Sequence, residues 1–214
     1  MTDAGQGYIA NPVQACADIP AAPPAGEGPS KAAPAESGAE RAARVRASKP
    51  ARGTRTGFST GACSATAARA CAIGLVTGQV PDTVESLLAN GRRYTFTIHD
   101  GRVEGEGLNR TAHGYVQKFA GDDPDCTDGA HLTVDLRILP GQAGEVRYRA
   151  GPGVGTVTLP GLGLEVGGPA INPVPRRNIA ENLHEVAGSL LAEHGLEVTI
   201  SVPDGEVMAR KTTN

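Results

Sequence analysis

The sequence predicts an α+β domain, a two-layer sandwich in which two long helices cover a sheet of mixed or antiparallel strands. Three observations predict it. Small residues recur at helical spacing through the 60s and 70s. An apolar stripe of helical period, with proline at its start and glycine at its end, runs from 175 to 195. Short segments of alternating apolar and polar residues lie between and after the two.

Taken in order, residues 1–51 form an Ala/Pro/Gly-rich tail. About half of its first 50 positions are Ala, Pro or Gly, and such a segment has too little apolar surface to offset its ordering entropy. The domain proper is expected over 52–214. Its first helix is placed at about Gly61–Val76, capped by Ser59 or Thr60, with Cys63, Ala67, Ala70, Cys71 and Gly74 on one narrow face. A hairpin follows, with its tight turn at Asn90-Gly91. Tyr94, Phe96 and Ile98 alternate with Arg93, Thr95 and Thr97, which predicts one buried face. Further strands are expected at about Leu132–Leu139, at 145–150 and at 196–202. The stretch from Gly151 to Arg177 reads as an extended Gly/Pro-rich loop. The second helix takes Pro175 in its first turn. Its stripe is Ile179, Leu183, Val186, Ala187, Leu190 and Leu191, and Gly195 is expected to end it.

Composition removes some function classes. The chain has 214 residues and a net charge of −3, the wrong sign for a phosphate-binding face, so nucleic acid is not an expected partner. No apolar run is long enough to span a bilayer, and no secretory h-region appears. Cys16, Cys63, Cys71 and Cys126 are dispersed, with no C-x-x-C pair. A cytoplasmic protein with reduced thiols is the expectation.

Four segments could carry chemistry. In "TRTGFSTGAC" the start of the helix at Thr60 and Gly61 favours anions, although an ordinary N-cap accounts for the same residues. "AGDDPDCTDGAH" (120–131) packs Asp122, Asp123, Asp125 and Asp128 around Pro124. The spacing fails a calcium loop and offers zinc too few Cys or His ligands. Acid/base or ligand-binding work and a plain acidic turn both remain. Gly151, Gly153 and Gly155 form a G-x-G-x-G after a strand, without the helix that a dinucleotide fingerprint needs. In "GGPAINPVPRR", prolines stiffen the loop around Asn172. Arg176 and Arg177 stand at a helix start, where the dipole does not favour cations, which suits them to an external anion.

The order of these segments carries more than any one of them. "TGFSTGACSATAA", "AGDDPDCTDGA", "GPGVGTVTLPGL", "GGPAINPVPR" and "LEVTISVPDGE" together resemble the cobalt-precorrin-5B carbon-1 methyltransferases of anaerobic cobalamin biosynthesis, the CbiD family, over roughly 52–214. The resemblance implies transfer of a methyl group from S-adenosylmethionine to a ring carbon of a cobalt-containing corrinoid, giving cobalt-precorrin-6A. The cobalt belongs to the substrate, so no protein-bound metal is implied. Arg55, Thr60, Gly61, Lys118, Asn172, Arg176 and Arg177 become candidates for the substrate's carboxylate arms. Asp122, Asp123 and Asp125 become candidates for catalysis or for the donor's ribose, and Gly151, Gly153 and Gly155 for the donor itself. The implied partners are a tetrapyrrole small molecule and, beyond it, a second copy of the chain or other enzymes of the pathway.

Two departures stand out. The family usually shows an acid where this chain has Phe119. Family members also continue into a second, Rossmann-like domain that is expected to be missing here. A non-catalytic corrinoid-binding fragment is therefore the alternative to an active enzyme.

Overall fold

The first helix is built from residues too small to hold anything at a distance. The computed structural model describes residues 55–160 and 163–211; the expected tail lies outside them. Helix α1 spans Thr60–Thr77, and Cys63–Ala72 are all buried. A narrow small-residue face was expected. Instead α1 is enclosed on nearly every side, because Ala65, Ala68 and Ala72 are buried along with the predicted positions. The absence of bulk lets neighbours close in. A Cβ added to Gly74 would lie 2.7 Å from Val80, and one added to Gly114, across the layer, 3.8 Å from Cys71 Sγ.

The strands are β1 Thr83–Leu87, β2 Arg93–Thr97, β3 His99–Glu104, β4 Thr111–Gln117, β5 His131–Leu139, β6 Val146–Ala150 and β7 Gly195–Ser201. Strands β1 and β2 pair as a separate antiparallel hairpin. The other five form one sheet in the order β3-β4-β5-β7-β6, antiparallel except for the parallel β6–β7 pair. Helix α2, Pro173–Glu193, lies beside α1, and a short helix α3, Gly205–Arg210, follows the sheet. The architecture is α+β in two layers. The core joins Leu132, Val134 and Leu136 of β5 and Leu196, Val198 and Ile200 of β7 to α1 and to Ile179, Leu183 and Leu191 of α2.

The sheet's other face is polar. His99, Tyr115 and His131 stack across three strands, with ring centroids 5.1 and 4.2 Å apart. Glu197 is 3% exposed there. Arg137 Nε donates to it at 2.7 Å and holds its carboxyl below the usual range.

Four local features differ from the sequence expectation. The hairpin turn holds three residues rather than two: Leu88 N–H donates to the Arg92 carbonyl, and only Gly91 takes positive φ, +79°. This is a turn closed by a left-handed glycine, not a mirror-image two-residue turn. Tyr94 is 53% exposed, because its ring lies over Phe58 at 4.6 Å rather than in the core. Gly195 does not end α2 in a left-handed cap. His194 is the cap residue, and Gly195 begins β7 where a Cβ would meet the Gln142 carbonyl at 2.7 Å. Strands β3 and β4 were not foreseen. The first is interrupted by a register shift between His99 and Arg102, with Asp100 at φ 53°, and the second buries only Ala112, Gly114 and Val116.

The hairpin is tied down by amides rather than by apolar surface alone. Asn182, fully buried, accepts from the Ser86 hydroxyl at 3.1 Å and from Leu87 N–H at 3.2 Å, and donates to the Leu87 carbonyl at 2.8 Å. Asn178 donates to the same carbonyl at 2.9 Å. Asn182→Ala leaves the Leu87 N–H and the Ser86 hydroxyl unpaired in the interior. We expect a loss of about 2–4 kcal/mol of stability, read as a fall in the urea midpoint at unchanged slope. A loss below about 0.5 kcal/mol, within the range of ordinary surface substitutions, contradicts this account of hairpin docking.

Candidate functional site

The chain enters α1 through residues 55–59, and the acidic stretch straps that lead-in down. Thr56 forms an antiparallel bridge with Gly121. Phe58 N–H donates to the Phe119 carbonyl at 2.8 Å, and Asp122 N–H to the Arg55 carbonyl at 3.2 Å. The two backbones are too close for side chains between them. A Cβ on Gly57 would overlap the Ala120 carbonyl, and one on Gly121, at φ +72°, would overlap that of Arg55.

One of the four aspartates bonds the lead-in directly, and two brace the strap against which it lies. The Asp122 carboxylate accepts from the Arg55 backbone N–H at 2.8 Å and from its Nε at 3.2 Å. Asp128 accepts from Ala120 N–H at 2.7 Å. Asp125 accepts from Lys118 Nζ at 2.7 Å and from the backbone N–H and hydroxyl of Thr127 at 2.8 and 2.6 Å. The Lys118 side chain is 1% exposed, so its ammonium depends on that carboxylate. The hydrogen bond from Lys118, reinforced by Thr127, lowers the Asp125 pKa to about 2. Asp123 is exposed and makes no hydrogen bond or ion pair among the described residues. Phe119 lies under the Arg55 guanidinium, 5.5 Å from ring centroid to Cζ. The aromatic ring thus meets the cation that an acid at this position would face.

Helix α1 then opens at Ser59, whose hydroxyl accepts from Ala62 N–H at 3.1 Å. The N–H groups of Thr60 and Gly61 make no hydrogen bond among the described residues, as the first turn of a helix leaves them. Gly61 abuts α2: a Cβ there would lie 2.9 Å from Pro175 Cγ. This contact separates two open clefts. One, of about 340 Å³, is walled by Phe58, Ser59, the hairpin tip at Leu88–Asn90, Val174 and Asn178. The other, of about 260 Å³, lies between Thr60, Gly61 and Ser64 on one side and Gly153–Gly155 and Ala170–Asn172 on the other. Thr60, Gly61 and Pro175 line both.

The glycine triplet divides. Gly151 donates its N–H to the Ile200 carbonyl at 2.8 Å, and a Cβ on it would overlap Ser201. Gly153, at φ +76°, has no room for a Cβ beside the Val202 carbonyl. Both are needed for one backbone to cross another. Gly155 has ordinary clearance, with Ala170 Cβ 3.7 Å from the added atom, and it lines the second cleft together with Gly153.

At the start of α2, Asn172 is the cap residue and makes no side-chain capping bond. Arg176 turns back on its own loop. Its Nε donates to the Ile171 carbonyl at 2.8 Å and its Nη2 to that of Pro169 at 3.0 Å. The guanidinium lies 5.4 Å over the Tyr148 ring, and the Tyr148 hydroxyl donates to the Arg176 carbonyl at 2.7 Å. Burial pushes that phenol up to about 12. Arg177 is exposed, 3.8 Å from Glu181. The structure brings Thr60, Gly61, Asn172, Gly153 and Gly155 around one cleft. It joins Arg55, Lys118, Asp122 and Asp125 in the strap and gives Arg176 to the α2 lead-in.

Sequence reasoning left the cap open between Ser59 and Thr60, named Asp128 without giving it a role, and passed over Asn178, Tyr148 and Ser64. Only the cap had a local signal, the serine immediately before the helix. Burial pushes the Cys63 thiol up to about 11, so α1 offers no thiolate nucleophile at neutral pH. Among the described residues no three His, Cys, Asp or Glu side chains gather as a metal site, and no helix is long and apolar enough to cross a membrane.

The structure thus defines an α+β domain with loop-lined clefts at two helix starts. Residues 47–214 match CbiD, and the chain belongs to that family. It is 65% identical over 167 residues to the "Cobalt-precorrin-5B C(1)-methyltransferase" of Polaromonas sp. (strain JS666 / ATCC BAA-500), covering 76% of this chain and 45% of the relative. It is 64% identical over 163 residues to the protein of the same name from Polaromonas naphthalenivorans (strain CJ2), covering 76% and 44%. The chain therefore spans less than half the length of these relatives. A solved structure, the 1.9 Å crystal structure of cobalamin biosynthesis protein (cbiD) from Archaeoglobus fulgidus, is similar at TM-score 0.48 and 26% identity, over 75% of this chain and 47% of that one.

The strap can be tested through its ion pair. A lowered carboxyl pKa contributes stability that is complete above the ordinary Asp value and is lost as pH falls from about 4 to about 2. Asp125→Asn leaves the Lys118 ammonium buried without its counter-charge. The expected cost at pH 7 is about 1–3 kcal/mol, below that of a fully enclosed pair because 39% of the Asp125 side chain meets solvent. Urea unfolding at pH 7 and pH 3 should show the wild type losing more stability than D125N on acidification. Equal losses contradict the pairing.

Proposed function

We propose that this chain supplies the loop-lined clefts of an enzyme that methylates cobalt-precorrin-5B at carbon 1, with S-adenosylmethionine as donor, in the cytoplasm. The observation that carries the reading is the CbiD match over 47–214, which spans all five loop segments and includes every residue of both clefts. Relatives 65% and 64% identical carry the methyltransferase name.

The reaction breaks the sulfonium–methyl bond and forms a carbon–carbon bond with an electron pair of the macrocycle. It asks the protein for alignment and exclusion of water, not for a nucleophile. Buried, protonated Cys63 is consistent with that. Neither cleft, at about 340 and 260 Å³, holds a macrocycle. The two are suited to its projecting arms on either side of Gly61 and Pro175. Gly153 and Gly155 keep the loop backbone low over the second cleft. Asp122 and Asp125 act by holding the α1 lead-in. Asp123 remains for direct contact, with hydroxyl groups of the donor ribose as its natural partners. Arg177, exposed and only loosely paired, remains for a substrate carboxylate.

The length shared with the relatives, 45% for the first, supports a second reading, in which this chain binds a corrinoid without turning it over. Titration with S-adenosylhomocysteine separates the two: saturable binding by this chain supports the donor site within it, and none confines the chain to corrinoid binding. For the reaction itself, the chain extended to the relatives' length should transfer labelled methyl from S-adenosylmethionine to cobalt-precorrin-5B. A folded extended protein with no transfer overturns the assignment. In that protein Asp123→Ala should cut transfer about 10-fold or more at unchanged stability, and an unchanged rate returns Asp123 to the turn.

A further inference from the structure

The cleft between α1 and the 153–155 loop has a chemistry of its own. The N–H groups of Thr60 and Gly61 are unbonded among the described residues, at the positive end of an 18-residue helix. One turn on, Ser64 faces the same cleft. It is 4% exposed, and its hydroxyl makes no hydrogen bond among the described residues. Its oxygen is not among the fully enclosed unpaired atoms, so what remains exposed of Ser64 includes the hydroxyl, open to a partner that enters the cleft. Asn172 adds a further polar side chain to the lining, and most of the remainder is aliphatic: Leu132, Val154, Ala170, Ile171, Ile200 and Val202.

Among the described residues no lysine or arginine lines this cleft. A phosphate dianion would sit there against half a unit of helix charge and no counter-ion, which is a poor match. A monoanion with a short apolar stem suits both halves of the lining. The second helix start cannot share the work. Pro173 and Pro175 carry no N–H, and Arg176 N–H is already given to the Asn172 carbonyl, so Val174 alone is left in that turn.

We propose that this cleft binds a short aliphatic carboxylate, with the Thr60 and Gly61 N–H groups and the Ser64 hydroxyl donating to its oxygens. Resting on the function proposed above, the carboxylate is one arm of the corrinoid, and Ser64 is a residue that selects it. The tris-donor set replaces the guanidinium that usually performs this task, and it favours a carboxylate, with two charged acceptor oxygens, over the corresponding amide, which offers one neutral oxygen.

The test is an amide chemical-shift titration of the ¹⁵N-labelled 214-residue chain with sodium propionate, against propionamide and against sodium chloride at equal ionic strength. Propionate should shift the Thr60 and Gly61 amides saturably, and propionamide should bind about 10-fold more weakly or not at all. Ser64→Ala, a favourable change within a helix, should keep the unfolding midpoint and weaken propionate by about 3- to 10-fold. Equal effects of propionate and propionamide, or unchanged propionate affinity in S64A, overturn the proposal. Methyl transfer is not read here, so the two readings fail separately. Propionate bound as described beside an extended protein without transfer removes the reaction and keeps the site. Transfer without propionate shifts at Thr60 and Gly61 removes the site alone.

Discussion

The Cβ that Gly61 lacks is the space that Pro175 fills, 2.9 Å from where that atom would stand. The rest of the molecule is arranged around that contact. It brings the first turns of the two long helices edge to edge, and both clefts take Thr60, Gly61 and Pro175 as their common wall. The approach is possible only because α1 has almost no side-chain volume. Its buried positions are Ala, Ser, Thr, Cys and Gly apart from Arg69 and Leu75, so strands β4 and β5 and helix α2 can all press against the same cylinder. A larger residue in that run would move the sheet or α2 and would part the helix starts with it.

Charge is used in this fold mainly to fix backbone. The strap from Lys118 to Ala130 places three carboxylates against one buried ammonium, one arginine and two backbone N–H groups outside their own turn. The Asp122 bonds hold Arg55 directly and the others brace the strap against which 55–58 lies, which in turn sets where α1 begins. On the far face of the sheet Glu197 is covered by Arg137, Arg147 and Arg149 at 2.7, 3.9 and 3.6 Å, and one of its oxygens has no hydrogen-bond donor among the described residues. That cluster is as charged as the strap, yet none of its four side chains lines either cleft. The same residue types do different work because only one of the two clusters abuts a helix entry.

Elements defined by side-chain period were legible in the sequence. The stripe of α2 and the existence of β5 and β7 follow from the spacing of apolar residues, and the cap at Ser59 from the serine before the helix. Strand β7 is nevertheless buried on both faces, Glu197 and Ser201 included, where its alternating sequence marks one. Elements defined by backbone approach were not. Strand β4 buries Ala112, Gly114 and Val116, a set with too little apolar contrast to mark a strand; a Cβ on Gly114 would stand 3.2 Å from Ile98. The glycines show the same limit: as letters in a sequence Gly151, Gly153 and Gly155 are equivalent, whereas in space the first two serve a chain crossing and the third opens on a cleft. In the site, the residue types near the helix starts were visible, but which aspartates were already bonded was not. That depends on a pairing between residues 55–58 and 119–122 that no local signal announces.

The two helix starts that meet at Gly61 and Pro175 are alike in position and unlike in chemistry. Helix α1 enters through a serine cap and keeps two donors open. Helix α2 enters through Asn172-Pro173-Val174-Pro175 and keeps one, while Arg176 binds the loop behind it. Prolines fix φ without supplying N–H groups, so α2 contributes a stiff wall rather than a second set of donors. Two equivalent donor turns placed together would compete for one anion and would repel each other through their like partial charges. With one start silenced by proline, the helices can pack closely at that end, and the field there has a single direction, out of α1 and into the cleft that Ser64 faces.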